Sequence, residues 1–412
     1  MTDVTTLDRR RLGRWRNAVI VAFGMGGITV SSWGVRLPDL TDELQVSTGT
    51  IGAVLAAVTV GSIGGLLAST PVSHWLGGRR GVPAALLVIA VAMGLIALGV
   101  ATRSIPLLAV AFAVVGFGIG LLDVLLNVEG AAIEATARRT LMPLMHAAWS
   151  VGVAVGSGIG AACAALRITP AQQFLGEAVL IAVVMLGTAR SMPAHAPTAE
   201  EQAAPPQRLG DAVRAWLRGW RDVRLLLIGV VLLGVELGEG SANTWLTLGV
   251  QRDHGQTAAV AALFFTAFAV GEAITRIAAG PMVDRIGRVA ALRLTTAVGV
   301  VGLLLFILGD GPWLVLLGVL LWSVGVSMGF PLGMSAAAEG GGPNPAARVS
   351  VVASIGYFAS LAGPPVIGSL AERVGLLGSF WLLVVFMLAA FAASGAVAQP
   401  RAAVPSTISS SP

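Results

Sequence analysis

Residues 105–133 read IPLLAVAFAVVGFGIGLLDVLLNVEGAAI. No charge interrupts the run from Ile105 to Leu122. As a helix, those eighteen residues rise about 27 Å, close to the ~30 Å hydrocarbon core of a bilayer. The stretch then places Asp123, Asn127 and Glu129 in the same apolar setting. A bilayer-length helix carrying buried polar groups is the unit from which the rest of the chain is read.

That unit recurs throughout the 412 residues. Apolar residues make up 56% of the chain and charged ones 11%, against roughly 25% charged in an ordinary soluble domain. Too few polar side chains remain to cover a soluble surface, which excludes disordered, collagen-like and soluble multidomain classes. A window of about 20 apolar residues finds twelve candidate spans. They lie near 17–37, 48–70, 82–101, 105–133, 142–165, 170–189, 224–247, 257–279, 290–309, 312–338, 349–370 and 376–398. The expectation is an all-α integral membrane protein.

The net charge of +5 comes from 26 basic residues, all arginine. Twenty fall in or beside alternate connections: Arg9 to Arg16, Arg79 and Arg80, Arg138 and Arg139, Arg190 to Arg224, Arg285 to Arg293, Arg348 and Arg401. The opposite connections hold Arg103, Arg167, Arg252 and Arg373. This bias follows the positive-inside rule and predicts cytoplasmic termini. The charge therefore reports topology, and no nucleic-acid partner is expected. The N-terminal region lacks the pattern of a cleavable leader. Cys163 is the single cysteine, and the four histidines have no zinc-ligand spacing, so no disulfide, metal or cofactor is expected.

Four segments follow: a six-span half over 1–190, a polar linker over 191–223, a second half over 224–399 and a disordered cytoplasmic tail over 400–412. In the linker, Leu209, Val213, Trp216, Leu217 and Trp220 share one helical face and Arg214, Arg218 and Arg221 another. Such a helix suits the headgroup plane. Two sequence echoes relate the halves. Leu76-Gly77-Gly78-Arg79-Arg80 follows span two, and Gly280 to Arg288 (GPMVDRIGR) follows span eight. Gly152, Gly156 and Gly160 in span five have counterparts in Gly356, Gly363 and Gly368 in span eleven. Parallel halves around a central pathway are a transporter architecture.

GPMVDRIGR resembles the inter-helix loop signature of the major facilitator superfamily, and Gly78-Arg79-Arg80 resembles a degraded copy with Trp75 at its acidic position. Further segments are Trp33 to Pro38, Leu122 to Asn127, Glu239-Gly240 with Trp245, and Gly356-Tyr357 to Gly368. With them the chain is similar to a bacterial inner-membrane branch of that superfamily, distantly similar to the fucose–proton symporter group. The resemblance implies twelve helices in two pseudo-symmetric halves, with spans one, four, seven and ten lining a cavity. It also implies a gating loop of Gly280, Asp284, Arg285, Gly287 and Arg288, with Arg79 and Arg80 in the other half. Asp123 would stand where the similar sugar symporters carry a proton-linked carboxylate.

Carboxylates at bilayer depth are costly and mark pathways or partners. Asp123 and Asn127 lie four apart on one face, as do Glu236, Glu239 and Asn243. An ionised carboxylate only accepts hydrogen bonds and a protonated one also donates, as proton coupling requires. Asp123 and one of Glu236 and Glu239 are read as proton or substrate residues, the alternative being helix-packing hydrogen bonds. Arg36, beside Trp33, either meets an anionic group or forms an outer-face salt bridge. Glu272 and Arg276 are read as a structural ion pair, and Glu129, Glu134 and His146 as a cluster near the inner ends of spans four and five in which His146 makes a packing hydrogen bond, the alternative being a charge switch. Trp322 is a candidate cavity wall.

No Gly-Lys-Ser/Thr, Gly-x-Ser-x-Gly or His-Glu-x-x-His occurs, which leaves no basis for an ATPase, hydrolase or metalloprotease. The expected function is proton-coupled symport of a small polar, sugar-like solute across a bacterial inner membrane by a monomer. Two alternatives are proton-antiport efflux of drugs or metabolites and a transporter-like sensor or partner-binding protein.

Overall fold

In a computed structural model, residues 9–46, 48–193, 209–339 and 345–399 are described. The expected tail and much of the linker lie outside these residues. Among the described residues every regular element is helical. Ten helices are long and apolar enough to cross a membrane. One of them, the helix Thr48–Ala101, is interrupted at Gly77 (φ 58°, ψ −179°) and supplies spans two and three. Arg9–Val35, diluted by its arginines, is span one, which completes twelve crossings.

The other spans are Ile105–Ala137 (four), Met142–Ala165 (five), Pro170–Ser191 (six), Val223–Arg252 (seven), Ala258–Ile286 (eight) and Arg288–Leu308 (nine). Span ten is split into Pro312–Val326 and Gly329–Glu339, where sequence periodicity predicts one helix. Pro345–Val374 is span eleven, and Leu376–Ser379 with Trp381–Ala393 forms span twelve. A short helix, Leu209–Gly219, precedes span seven. It contacts both the Thr48–Ala101 helix and span eleven, and so touches both halves of the bundle.

Within a bilayer the driving force for helix association is close packing rather than apolar burial, so small residues mark the crossings. A Cβ on Gly152 of span five would collide with the Gly24 backbone of span one, and one on Gly27 would collide with the Trp149 carbonyl. Gly116 of span four meets the Val58 carbonyl of span two in the same manner. The buried apolar residues form three clusters. One draws its members from 15–192 and another from 235–387. The third joins Leu66 and Val124 to residues of the second half, such as Leu232, Leu332 and Val352. This seam lies toward the end of the bundle that carries most of the arginines.

Gly152→Val is therefore expected to force spans one and five apart, at a cost of about 1–3 kcal/mol. Thermal unfolding of the purified protein should show a midpoint several degrees lower; an unchanged midpoint would refute the backbone contact.

Candidate functional site

Arg276, 6% exposed in span eight, is the hub of the polar interior. Its NH2 donates to Glu239 Oε2 of span seven at 2.9 Å. NH1 pairs with Glu272 one turn earlier and donates to Ser150 Oγ of span five at 2.6 Å. Nε donates to the Ser327 carbonyl at 3.1 Å. That carbonyl is free because span ten breaks there, and a helix break at bilayer depth is tolerated where a neighbour satisfies the released backbone. The expected Glu272–Arg276 pair is thus present, and it is part of a larger network joining spans five, seven, eight and ten. Arg276 is the site residue that sequence reasoning left out. The cue available was its spacing from Glu272, which points to a self-contained pair rather than to Glu239.

Asp123 is 4% exposed. Its Oδ1 accepts from Asn127 Nδ2 at 3.0 Å, so the expected shared face is an actual hydrogen bond. Asn127 Oδ1 lies 3.0 Å from His146 Nε2 of span five. An amide oxygen accepts only, so with this amide orientation that histidine nitrogen carries the proton. The ring of His146 sits between Phe23, 4.9 Å away, and Phe330, 5.3 Å away. The Tyr357 hydroxyl of span eleven faces Asp123 from the other half. Asp123 Oδ2 is buried without a partner of full hydrogen-bond geometry. Glu236 of span seven is half-buried and senses the charges of Glu239, Glu272, Arg276 and Asp123. Asn243 follows on the same stripe and is exposed.

Several expected site residues lie elsewhere. Trp322 is fully buried among Phe268, Phe306 and Phe380, which makes it core of the second half rather than a cavity wall. Its aromatic neighbours come from spans eight, nine and twelve, whose meeting point a single helix does not reveal. Trp33 packs edge-on against Phe112, and its indole N–H has no partner. Arg36 pairs with Asp39 at 2.7 Å and donates to the Ile168 carbonyl at 2.8 Å. It lines a 420 Å³ hollow at the arginine-poor end with Glu43 and Arg167, and so joins the connection between spans one and two to that between spans five and six. His146 makes the expected packing hydrogen bond, but to Asn127 rather than to Glu129 or Glu134. Glu129 accepts from Trp15 Nε1 at 2.7 Å, Glu134 caps span five and His146 meets Asn127.

The GPMVDRIGR corner sits at the seam. Asp284 Oδ1 accepts from the Thr140 backbone N–H at 2.9 Å. Glu134 Oε1 accepts from Leu141 N at 2.6 Å and Met142 N at 2.7 Å. Two carboxylates from different halves thus cap the first turn of span five, where free N–H groups and the positive end of the helix dipole point. Gly280 lets this happen, since a Cβ there would lie 2.7 Å from the Thr140 carbonyl. Arg288 forms a two-pronged pair with Glu339 at 2.6 and 2.8 Å and reaches Glu134 at 3.5 Å. Glu134 also accepts from Ser335. Gly287 adopts φ +83° at the turn, and Arg285 is exposed. Arg79 and Arg80 are exposed as well. The corresponding corner of the first half has Gly78 against Glu129. Ser69 and Ser350 close the seam from spans two and eleven, their hydroxyls 2.8 Å apart.

The Major Facilitator Superfamily model matches residues 228–410. An uncharacterised transporter of Sinorhizobium fredii is 29% identical, covering 95% of this chain and 99% of its own length. An uncharacterised MFS-type transporter of Yersinia pestis is 24% identical over 92% and 94%. Among solved structures, the Escherichia coli fucose:proton symporter superposes with a TM-score of 0.76 at 14% identity, over 93% of this chain and 98% of that one. Residues 228–410 thus match the superfamily model, nearly the whole chain is similar to these two transporters, and its twelve-helix fold is that of the superfamily's solved structures.

Removing one partner of a buried ion network leaves uncompensated charge, at a cost of about 3–5 kcal/mol. Arg276→Gln should therefore lower the yield and thermal stability of folded protein, and Arg276→Gln with Glu272→Gln should recover part of the loss. No recovery in the double variant would show that the guanidinium acts apart from Glu272.

Ser69→Cys with Ser350→Cys, in a Cys163→Ser background, should crosslink on mild oxidation. With a protease site inserted within 194–208, most of the cleaved protein should run as one band until reduced. Separate halves without reductant would contradict the seam.

Proposed function

We propose that the chain is a proton-coupled secondary transporter of a small polar organic solute in a bacterial inner membrane, with both termini cytoplasmic. The two six-helix halves alternate access by rocking about the site between them. The observation that carries this reading is a carboxyl from each half, Asp123 of span four and Glu236 of span seven, held at bilayer depth on either side of Tyr357 and within electrostatic reach of each other. Neither makes contact with a cation. Uncompensated carboxyls at this depth are most cheaply held by binding protons. A proton on Asp123 converts an acceptor into a donor beside Tyr357 and Asn127, and so changes what holds the halves together.

The arginine-rich end is closed by Asp284, Glu134, Arg288 and the Ser69–Ser350 contact. With that end cytoplasmic, opening inward means breaking those ties. Symport is the direction favoured by likeness to a fucose:proton symporter. Antiport remains the second reading, because protons and a solute that compete for the same free carboxyls would be exchanged rather than moved together.

The test is uptake into proteoliposomes across sugars, amino acids and common antibiotics, with and without an imposed proton gradient. At least one solute should accumulate above equilibrium when the gradient is present. Asp123→Asn should abolish that accumulation while leaving exchange between equal pools. Undiminished uphill transport in the variant would overturn the role of Asp123.

A further inference from the structure

The polar interior has an unequal charge count. Asp123, Glu236, Glu239 and Glu272 are four carboxyls, and Arg276 is the guanidinium among them. Each of the three guanidinium nitrogens already donates, to Glu239, Glu272, Ser150 or the Ser327 carbonyl. Arg276 therefore answers the charge of Glu239 and Glu272 and has little left for the remaining two. Asp123 has one oxygen engaged by Asn127 and the other buried, facing the Tyr357 hydroxyl without full hydrogen-bond geometry. Among the described residues Glu236 makes no hydrogen bond or ion pair, and its side chain lies beside Gly356 and Phe330.

The other groups at this point are neutral or aromatic. His146 donates from Nε2 to Asn127 and is held between Phe23 and Phe330. Tyr357 stands next to both Asp123 and Glu236. Two carboxyls without an ion-pair partner among the described residues, flanked by a phenol and a phenyl ring, match an ammonium group. Carboxylates take its N–H donors through charge-assisted hydrogen bonds, and ring faces attract its positive charge.

We propose that Asp123 and Glu236, with Phe330 and Tyr357, form a cation site, and that the transported solute carries an ammonium group. This rests on the transporter reading above and narrows its solute. An anionic solute would meet two carboxyls with the guanidinium already committed. A neutral polyol would satisfy hydrogen bonds but leave both carboxyls to be neutralised by protons alone. One ammonium and one proton on the pair leave it neutral, which ties the solute to the coupling ion.

The test uses the full chain, purified in detergent, with matched solutes that differ in an amine: glucose and glucosamine, glycerol and 2-amino-1,3-propanediol, 2-phenylethanol and 2-phenylethylamine. Binding is read by calorimetry or thermal shift. In at least one pair the amine should bind at least tenfold tighter than the alcohol. Glu236→Gln should reduce that ratio to under threefold, and Glu177→Gln, a buried carboxyl in span six, should preserve it. The wild-type comparison decides even if Glu236→Gln fails to fold. Equal or tighter binding of the neutral member in every pair, no binding by any amine, or an unchanged ratio in Glu236→Gln would overturn the site. Proteoliposome flux separates the two claims. Gradient-driven flux of neutral members alone would sink the cation site and leave the transporter. Amine binding without gradient-driven flux of the bound amine would do the reverse.

Discussion

A guanidinium buried at bilayer depth must have its charge answered and its donors filled, and Arg276 meets both demands by drawing four spans together. Glu239 and Glu272 supply charge, Ser150 an acceptor in the other half, and Ser327 a carbonyl released by the break in span ten. The break and the arginine explain each other. An unsatisfied carbonyl in hydrocarbon is costly, and so is an unsatisfied N–H. Neither half could hold this arrangement alone, since the acceptor on Ser150 comes from the first half and the carboxylates from the second.

That constraint places the site at a seam, and under the proposed alternating access that seam has to break. Its contacts toward the arginine-rich end are polar and directional: Asp284 and Glu134 on the first turn of span five, Arg288 on Glu339 and Glu134, Ser69 against Ser350. Polar contacts of this kind can be exchanged for water when that end opens. The apolar packing of spans one and five or two and four, with backbones in contact, belongs inside a half and has no such substitute. The same division appears in the buried clusters, two of which stay within a half.

Much of the site was legible from spacing along single helices. Asp123 with Asn127, and Glu272 with Arg276, are four apart, and both contacts form. The limits of that method are as specific. Glu239 and Arg276 sit on different helices, so their pairing has no spacing to betray it. Trp322 lies on a span that the resemblance assigns to the cavity, yet its ring is enclosed by aromatics from three others. Glu129, Glu134 and His146 lie near one another along the chain, but face in three directions and find three separate partners.

The sequence by itself determined the solvent, the number of crossings and the charge asymmetry between the two ends. Those depend on composition and on short-range periodicity, which a bilayer reads one segment at a time. The tertiary structure decided which carboxyls are answered by Arg276 and which are left free. It also decided where span ten breaks and which side chains close the arginine-rich end. Those depend on which helices meet at a given depth. In a membrane, where apolar burial alone does little to choose a helix's neighbours, that meeting is set by close packing and by buried polar groups finding partners across helices.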